Sequence, residues 1–312
     1  MYSIGIDLGG TNIKAAIADN GAIAKSVSIP TPADDANAVI GGLLHVCEML
    51  TEGDDSALQS IGIGVPGAVN AATGKVLFTP NLPLHGVDIV SDIRRKYNCP
   101  VYIGNDASCA ALGEALYGAL GLAQSAVFIT IGTGIGGGII LNKRLYTGIN
   151  GMAGEFGHMT IIAGGRECGC GRLGCWESYA SANGISRTLY EVERTCKKGS
   201  IDNSGKTRDA HAVFDAWRAG DEIAKLAIKQ YIQHLAIGIA NIIDIFAPET
   251  ICIGGGVSNA WDMLEIPLRT AVTEASFARF SPELPQTQIV KAALGNSAGV
   301  IGAAMLWKQE LS

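Results

Sequence analysis

Twice in this chain a short apolar run breaks at a cluster of glycines and resumes as a second apolar run. The first copy is Ser3–Leu8, a turn at Gly9-Gly10-Thr11-Asn12, and a strand over Lys14–Ala18. The second is Ala126–Ile131, a turn over Gly132–Gly138, and a strand over Ile139–Leu141. Both copies have the length and apolar character of buried strands around a tight bend. Two copies of one half-site predict two lobes facing a shared cleft. The 41 glycines among 312 residues are about 13%, nearly twice the usual ~7%, and seven of them stand in these two bends.

Between and after the bends, strands alternate with helices, which makes the class α/β. Val39, Ile40, Leu43, Leu44, Cys47 and Leu50 recur at helical spacing and predict one helix over Ala36–Leu50. Ile61–Val65 reads as a buried strand ending at Pro66-Gly67, and Val90, Ile93 and Tyr97 share a helical face. Val101–Ile103 is a short strand, after which Asn105 can cap a helix running to about Tyr117. Further on, a helix is expected from about Glu177 and a long one over Asp221–Phe246. The strand Ile251–Ile253 runs into Gly254-Gly255-Gly256, and Ser297 is expected to cap a last helix to about Lys308. At roughly 150 residues per domain the length suits two domains. The expected division is 1–114, joined by the final helix at about 298–312, and 115–297 carrying the loop 158–177.

The composition narrows the function. Apolar residues are 48% and charged residues 17%, which excludes a disordered chain. A net charge of −6 argues against nucleic acid or an anionic membrane as the main partner. The uncharged stretch Ala115–Asn142 holds seven glycines and several polar residues, so no sustained apolar helix of membrane length fits there. Without a secretory signal at its start, the chain is expected to be cytoplasmic, with reduced thiols rather than a disulfide framework.

The glycine bends suit phosphates. At the first, paired glycines let backbone N–H groups face an anion, while Thr11, Asn12 and Lys14 add donors. Asp7, at the end of the strand, is placed to hold a phosphate-bound Mg²⁺; the plainer reading is an ordinary hairpin. The second bend contains G-x-G-x-x-G at Gly132, Gly134 and Gly137, with Glu155 near the spacing of a ribose-binding acid. A dinucleotide fingerprint must open a helix, whereas β-branched Ile139 and Ile140 follow here, so that reading loses. No Walker A loop is present, since no glycine stands five residues before Gly74-Lys75. Two hairpin phosphate loops remain, together with Gly254–Gly256, where a flat adenine can approach the backbone.

Cys168, Cys170 and Cys175 place three thiols within eight residues, and His158 is the nearest imidazole. Cys₃His is a sufficient tetrahedral zinc set, although C-x-C-x₄-C departs from the usual knuckle spacing and a loop of reduced thiols is the alternative. Four protein ligands leave no open position, so such a zinc is structural. It would orient His158 through one ring nitrogen and leave the other for a ligand hydroxyl. Glu155 and Glu177 flank the cluster. Around an imidazole they suit a polyhydroxylated ligand; alone, each reads as a surface acid. Asn105-Asp106 opens a helix, where a carboxylate stays ionised. Asp106 is then either a helix-start acid or the base that accepts an alcohol proton during phosphoryl transfer.

Taken in order, these motifs resemble the ROK family of bacterial sugar kinases, within the actin-like ATPase superfamily, and most closely its glucokinases. The resemblance rests on Asp7–Lys14, Gly64-Val65-Pro66-Gly67, Pro80-Asn81-Leu82, Asn105-Asp106, Gly132–Gly138, Gly154-Glu155-Phe156-Gly157-His158, Cys168–Glu177, Gly254–Val257 and Gly295–Gly302. It implies a two-lobed actin-like (ribonuclease H-like) α/β fold with ATP and sugar in a cleft between the lobes. Asp106 would be the catalytic base, with Gly67, Asn81, Asn105, Glu155, His158 and Glu177 on the sugar. His158, Cys168, Cys170 and Cys175 would hold a structural Zn²⁺.

On the same resemblance, Asp7, Gly9, Gly10, Thr11, Asn12, Lys14, Gly132, Thr133, Gly134, Gly136, Gly137, Gly138 and Gly254–Gly256 would bind ATP with Mg²⁺. The implied reaction is ATP-dependent phosphorylation of a hexose 6-hydroxyl, glucose first. N-acetylglucosamine, N-acetylmannosamine, allose and fructose are the alternatives. Relatives form dimers or tetramers, so a homo-oligomer is implied. The family also contains sugar-responsive repressors with a DNA-binding segment ahead of the first bend. Six residues precede Asp7 and the net charge is negative, so that architecture is not expected. A catalytically silent sugar-binding protein is disfavoured by Asp106 and the two bends.

Overall fold

Alternation along the first strand builds the first sheet. The structure, a computed structural model describing residues 1–196 and 209–309, pairs β1 (Tyr2–Leu8), β2 (Asn12–Asp19), β3 (Ala22–Pro30), β4 (Leu58–Val65) and β7 (Val101–Asn105) in the order β3-β2-β1-β4-β7. Strands β1, β2 and β3 form an antiparallel meander, whereas β4 and β7 run parallel to β1. Side chains of successive strand residues face opposite ways. Ile4, Ile6 and Leu8 thus join Ile61 and Ile63 in a core closed by Val39, Leu43, Val46 and Leu50 of α1 (Ala36–Thr51). Asp35 caps α1 by accepting from the Ala38 N–H at 2.8 Å.

The opposite face of β1 presents Gly5 and Asp7, and there α9 (Ala298–Ala304) lies directly on the sheet. Helix α3 (Asp106–Tyr117) packs beside α9 through Cys109, Leu112, Ala303 and Met305. Glu114 of α3 is fully buried. Its carboxylate accepts from the N–H groups of Ala119 (2.8 Å), Leu294 (2.8 Å) and Ala293 (3.1 Å). That carboxylate ties the segment leading into α9 back onto α3. A hairpin of β5 (Ala68–Asn70) and β6 (Lys75–Phe78), then α2 (Ile89–Arg94), connect β4 to β7.

The second sheet repeats the first. Its strands are β8 (Ser125–Ile131), β9 (Ile135–Leu141), β10 (Arg144–Tyr146), β11 (Thr250–Gly254) and β12 (Gln288–Lys291), in the order β10-β9-β8-β11-β12. In both sheets the first strand is central, with the second and third on one side and the fourth and fifth on the other. The last pair is again parallel. Between β10 and β11 stand α4 (Glu177–Ala180), α5 (Ala182–Cys196), α6 (Ala210–Arg218) and α7 (Glu222–Phe246). Helix α8 (Trp261–Ala275) follows β11. The buried stripe of α7 includes Ile228, Tyr231, Leu235 and Ile239, and the fully buried Trp176 donates its indole N–H to the His234 carbonyl at 2.9 Å.

The described chain forms two compact units. One comprises Met1–Phe128, Gly137–Gly154 and Ala292–Ser312; the other comprises Ile129–Gly136 and Glu155–Lys291. Against the division expected at 114/115, the first unit runs on to Phe128 and takes in Gly137–Gly154. Among the described residues no helix is long and apolar enough to cross a membrane.

Three local expectations are corrected. The helix from Glu177 is two helices, because Ser181 is extended and its hydroxyl accepts from the Gly184 N–H at 3.1 Å, capping α5 afresh. Ser297 stands at the start of α9 without capping it, since a 3₁₀ turn over Gly295–Ser297 runs straight into the helix. The α-helix then ends at Ala304 and continues as 3₁₀ over Leu306–Gln309.

Candidate active site

Strand register gathers the acids of the first unit. Asp7 lies beside Lys14 on β2 and beside Gly64 on β4, and Gly64 lies beside Gly104 on β7. Parallel strands therefore deliver Asp7, Gly64 and Asn105-Asp106 to one carboxyl edge, the edge where open α/β sheets place their ligands. Two strand spacings separate the backbones of Asp7 and Asn105 by roughly 10 Å. Asp7 faces the start of α9 at Gly299. Burial raises its pKa, and the Lys14 charge opposes that rise.

The first bend is closed by the Gly9 N–H on the Asn12 carbonyl at 3.0 Å. Thr31, just past β3, donates its hydroxyl to the Gly9 carbonyl (2.7 Å) and its N–H to the Thr11 carbonyl (2.9 Å). Gly10, Thr11, Asn12 and Lys14 are exposed, and Asn81 lies against Gly10. Asn105 is committed twice. Its Oδ1 accepts from the Ser108 N–H (2.9 Å) and its Nδ2 donates to the Gly67 carbonyl (3.0 Å). Asn105 thus caps α3 and fixes the Gly67 loop beside Asp106, whose Oδ1 accepts from the Ala107 N–H at 2.8 Å.

The second bend is shorter than expected. The turn is Gly132-Thr133-Gly134, while Gly136, Gly137 and Gly138 lie within β9. Gly138 serves packing. A Cβ on Gly138 would stand 2.4 Å from that of Ala111, so its absence lets α3 rest on the strand. Gly132 and Thr133 line a cavity of about 340 Å³ with Gly256, Val257, Asn259, His211 and Phe214. Gly254 and Gly255 lead from β11 into it.

The loop after residue 155 brings one donor atom each from His158, Cys168, Cys170 and Cys175 within 4.8 Å of one another. Cys168 Sγ is 3.8 Å from His158 Nδ1, and Cys170 Sγ is 3.7 Å from Cys175 Sγ. Metal–sulfur bonds of ~2.3 Å in a tetrahedron give edges of about 3.8 Å. Burial and the adjoining thiols push the Cys175 thiol up, so a cation is what lets three crowded thiols ionise together. The donor set therefore fits a tetrahedral metal, with His158 binding through Nδ1. His158 Nε2 then faces Glu155 Oε2 at 4.0 Å. Glu155 is half-exposed, yet its surroundings desolvate it enough to raise its pKa; His158 lowers it and Glu177 raises it further. Glu177 is also within this group, its Oε1 3.8 Å from Cys168 Sγ.

Sequence reasoning missed Arg166, the buried anchor of this loop. Its guanidinium donates to the carbonyls of Ser178 and Gly184, to Thr188 Oγ1 and to Glu191, and it lies over the Tyr179 ring at 4.5 Å. A lone arginine among glycines carries no periodic signal. His211 and Phe214 were missed as well, because a cavity lining assembled from α6 and the segment after β11 leaves no local motif.

The ROK family model matches residues 3–310, and the chain belongs to the ROK family. It is similar to the glucokinase of Halalkalibacterium halodurans, 37% identical over 99% of this chain and 96% of that one. It also resembles a solved ROK family glucokinase from Streptomyces griseus in complex with glucose and AMPPNP. That likeness has a TM-score of 0.82 at 32% identity, covering 98% of this chain and 99% of the other. A xylose repressor of Bacillus subtilis is 29% identical over 98% of this chain and 76% of its own length.

Proposed function

We infer that this chain is an ATP-dependent hexose kinase that phosphorylates the 6-hydroxyl, with glucose as the preferred sugar. The observation that carries this reading is the shared carboxyl edge of the first sheet, where Asp7 stands in register with Gly64 and Gly104, so that the glycine bend after Asp7 and Asn105-Asp106 leave the sheet at one edge. Full-length likeness to glucokinases supports the substrate class.

In the proposed reaction the hexose O6 attacks the γ-phosphorus. A new O–P bond forms as the bond to the β–γ bridging oxygen breaks, and ADP departs with that electron pair. Asp106 orients the hydroxyl and takes its proton late, which suits a loose transition state governed by position and charge. In the first unit the Gly10 and Thr11 N–H groups, with Lys14, are the proposed phosphate donors; in the second they are the Thr133 and Gly134 N–H groups. Gly138 acts through the packing of β9 on α3. The cavity bounded by Phe214 and Gly256 is sized for the nucleobase.

Asp7 would face a phosphate-bound Mg²⁺, which would supply charge neutralisation. His158, Cys168, Cys170 and Cys175 would hold Zn²⁺ as a structural ion, leaving the His158 Nε2 edge, with Glu155 and Glu177, for the sugar hydroxyls. Gly67, Asn81 and Asn105 are further proposed sugar-binding residues, Asn105 mainly by holding Gly67. None of the eight cysteines is in a disulfide, which supports a reducing compartment, the cytoplasm. Self-association as a dimer or tetramer is carried over from the resemblance.

Asp106→Asn is expected to lower kcat by 10²–10⁴-fold, the usual worth of a positioned base, while calorimetry still records sugar binding. Near-normal turnover would remove Asp106 from the mechanism. Initial rates across a hexose panel should rank glucose first, by the ~10–200-fold that single-group discrimination supplies. A faster N-acetylated sugar would reassign the substrate and leave the kinase reading intact.

A further inference from the structure

We propose that Glu177 is a positioning residue that couples the four-donor loop to the bend at 132–134, so that filling the loop with metal tightens the grip on nucleotide phosphates. The proposal rests on the reading above, in which the loop holds zinc and the bend holds phosphate.

Glu177 stands two residues beyond Cys175, on the first turn of α4. One carboxylate oxygen, Oε2, accepts from the Ile135 N–H at 2.8 Å, while Oε1 is 3.8 Å from Cys168 Sγ. A Cβ on Gly134 would stand 2.4 Å from Oε2, so the missing side chain is what admits the carboxylate to the bend. The same stretch of chain makes two further bonds. The Ala182 N–H donates to the Gly132 carbonyl at 2.8 Å, and Asn183 Nδ2 donates to the Thr133 carbonyl at 3.0 Å.

These bonds orient the bend. In a trans peptide the C=O and the following N–H point opposite ways. Drawing the Gly132 and Thr133 carbonyls toward α5 therefore turns the Thr133 and Gly134 N–H groups to the other side, as neighbouring donors for an anion. The bonds drawing these two carbonyls come from residues 182 and 183, shortly downstream of a metal-ligand candidate, while the Gly132 N–H closes the bend on the Gly134 carbonyl at 2.9 Å. The Ser178 N–H also donates to the Cys175 carbonyl at 3.0 Å, so the loop and this stretch are held as one piece. An ordered loop holds Glu177 against Ile135, and a loosened one releases it.

The test is calorimetric binding of AMPPNP to the full chain without sugar, with zinc loaded or stripped by a chelator. Stripping should weaken binding to the unaltered chain by about tenfold, the worth of one hydrogen bond to a charged acceptor. Zinc-loaded Glu177→Ala should already be weakened to that degree, with stripping adding little; Glu177→Gln should recover part of the loss. Gly134→Ala displaces the carboxylate and leaves all four donors in place. It should keep one zinc per chain and still show the weaker AMPPNP binding. Equal affinity in the loaded and stripped unaltered chain, or losses that simply add in Glu177→Ala, would overturn the coupling. Equal affinity in Gly134→Ala would overturn it too, even if stripped protein unfolds. A loaded chain that retains no zinc, or binds no AMPPNP, would overturn the underlying reading and the coupling with it.

Discussion

The two bends share a form and differ in their supports. At the first, Thr31 takes the Gly9 and Thr11 carbonyls from the end of the third strand of the same meander. At the second, Ala182 and Asn183 take the Gly132 and Thr133 carbonyls from about fifty residues away, inside the long connection between the third and fourth strands. In the first sheet that connection is essentially the single helix α1, whereas in the second it carries the four-donor loop and, among the described residues, four α-helices. A bend supported by its own meander is fixed once the sheet forms. A bend supported from an insert answers to whatever orders the insert.

Arg166→Ala should separate these supports most sharply. It removes the donors to Ser178, Gly184 and Thr188 at a side chain that is 8% exposed. The partner Glu191 is 47% exposed, so the ion pair itself adds little. A loss of about 3 kcal/mol is expected from the buried acceptors left unpaired, read as a lower urea midpoint, with zinc released faster under chelation. An unchanged midpoint would break the claim that Arg166 anchors the second support.

Thr31→Val should act on the first bend alone. Losing the bond to the Gly9 carbonyl costs about 1 kcal/mol, seen as roughly fivefold weaker AMPPNP binding that is the same with and without zinc. Sensitivity of that loss to zinc would merge the two supports into one.

The smallest effect runs the other way. Burial raises the Asp7 pKa, so the native state holds this proton more tightly than the unfolded chain does. The contribution is therefore fully present below the ordinary carboxylate value and is lost as pH rises through the raised native pKa. Asp7→Asn should accordingly raise the thermal midpoint at pH 7 in Mg²⁺-free buffer, with the gain shrinking as pH falls through the raised native pKa and gone below the ordinary value of about 4, while abolishing turnover. A lower midpoint at pH 7 would show that the Lys14 charge outweighs burial.

Much of this was legible where the signal is local. The long helix α7 and the helix expected over Ala36–Leu50, observed as Ala36–Thr51, follow from spacing, and Asn105 caps α3 as its residue type predicts. Cys168, Cys170, Cys175 and His158 are close in sequence, so their convergence was readable before any fold. The illegible parts depend on partners far away. Gly138 reads as turn because nothing local announces that Ala107, Ser108 and Ala111 press on the strand there. Arg166 and Glu114 look like ordinary surface charges until carbonyls and N–H groups from distant segments close on them. The break at Ser181 turned on one hydroxyl choosing the Gly184 N–H over continued helix.

The seat of α9 has a consequence for how the molecule is made. The face of β1 that carries Gly5 and Asp7 is roofed by residues 298–304, which leave the ribosome almost three hundred residues after the strand they cover. During synthesis that face waits bare while the rest of the polypeptide emerges, and the N-terminal sheet matures only after its far end arrives. Such long-range closure makes for slow, aggregation-exposed folding, and it ties the birth of the first sheet to the completion of the last.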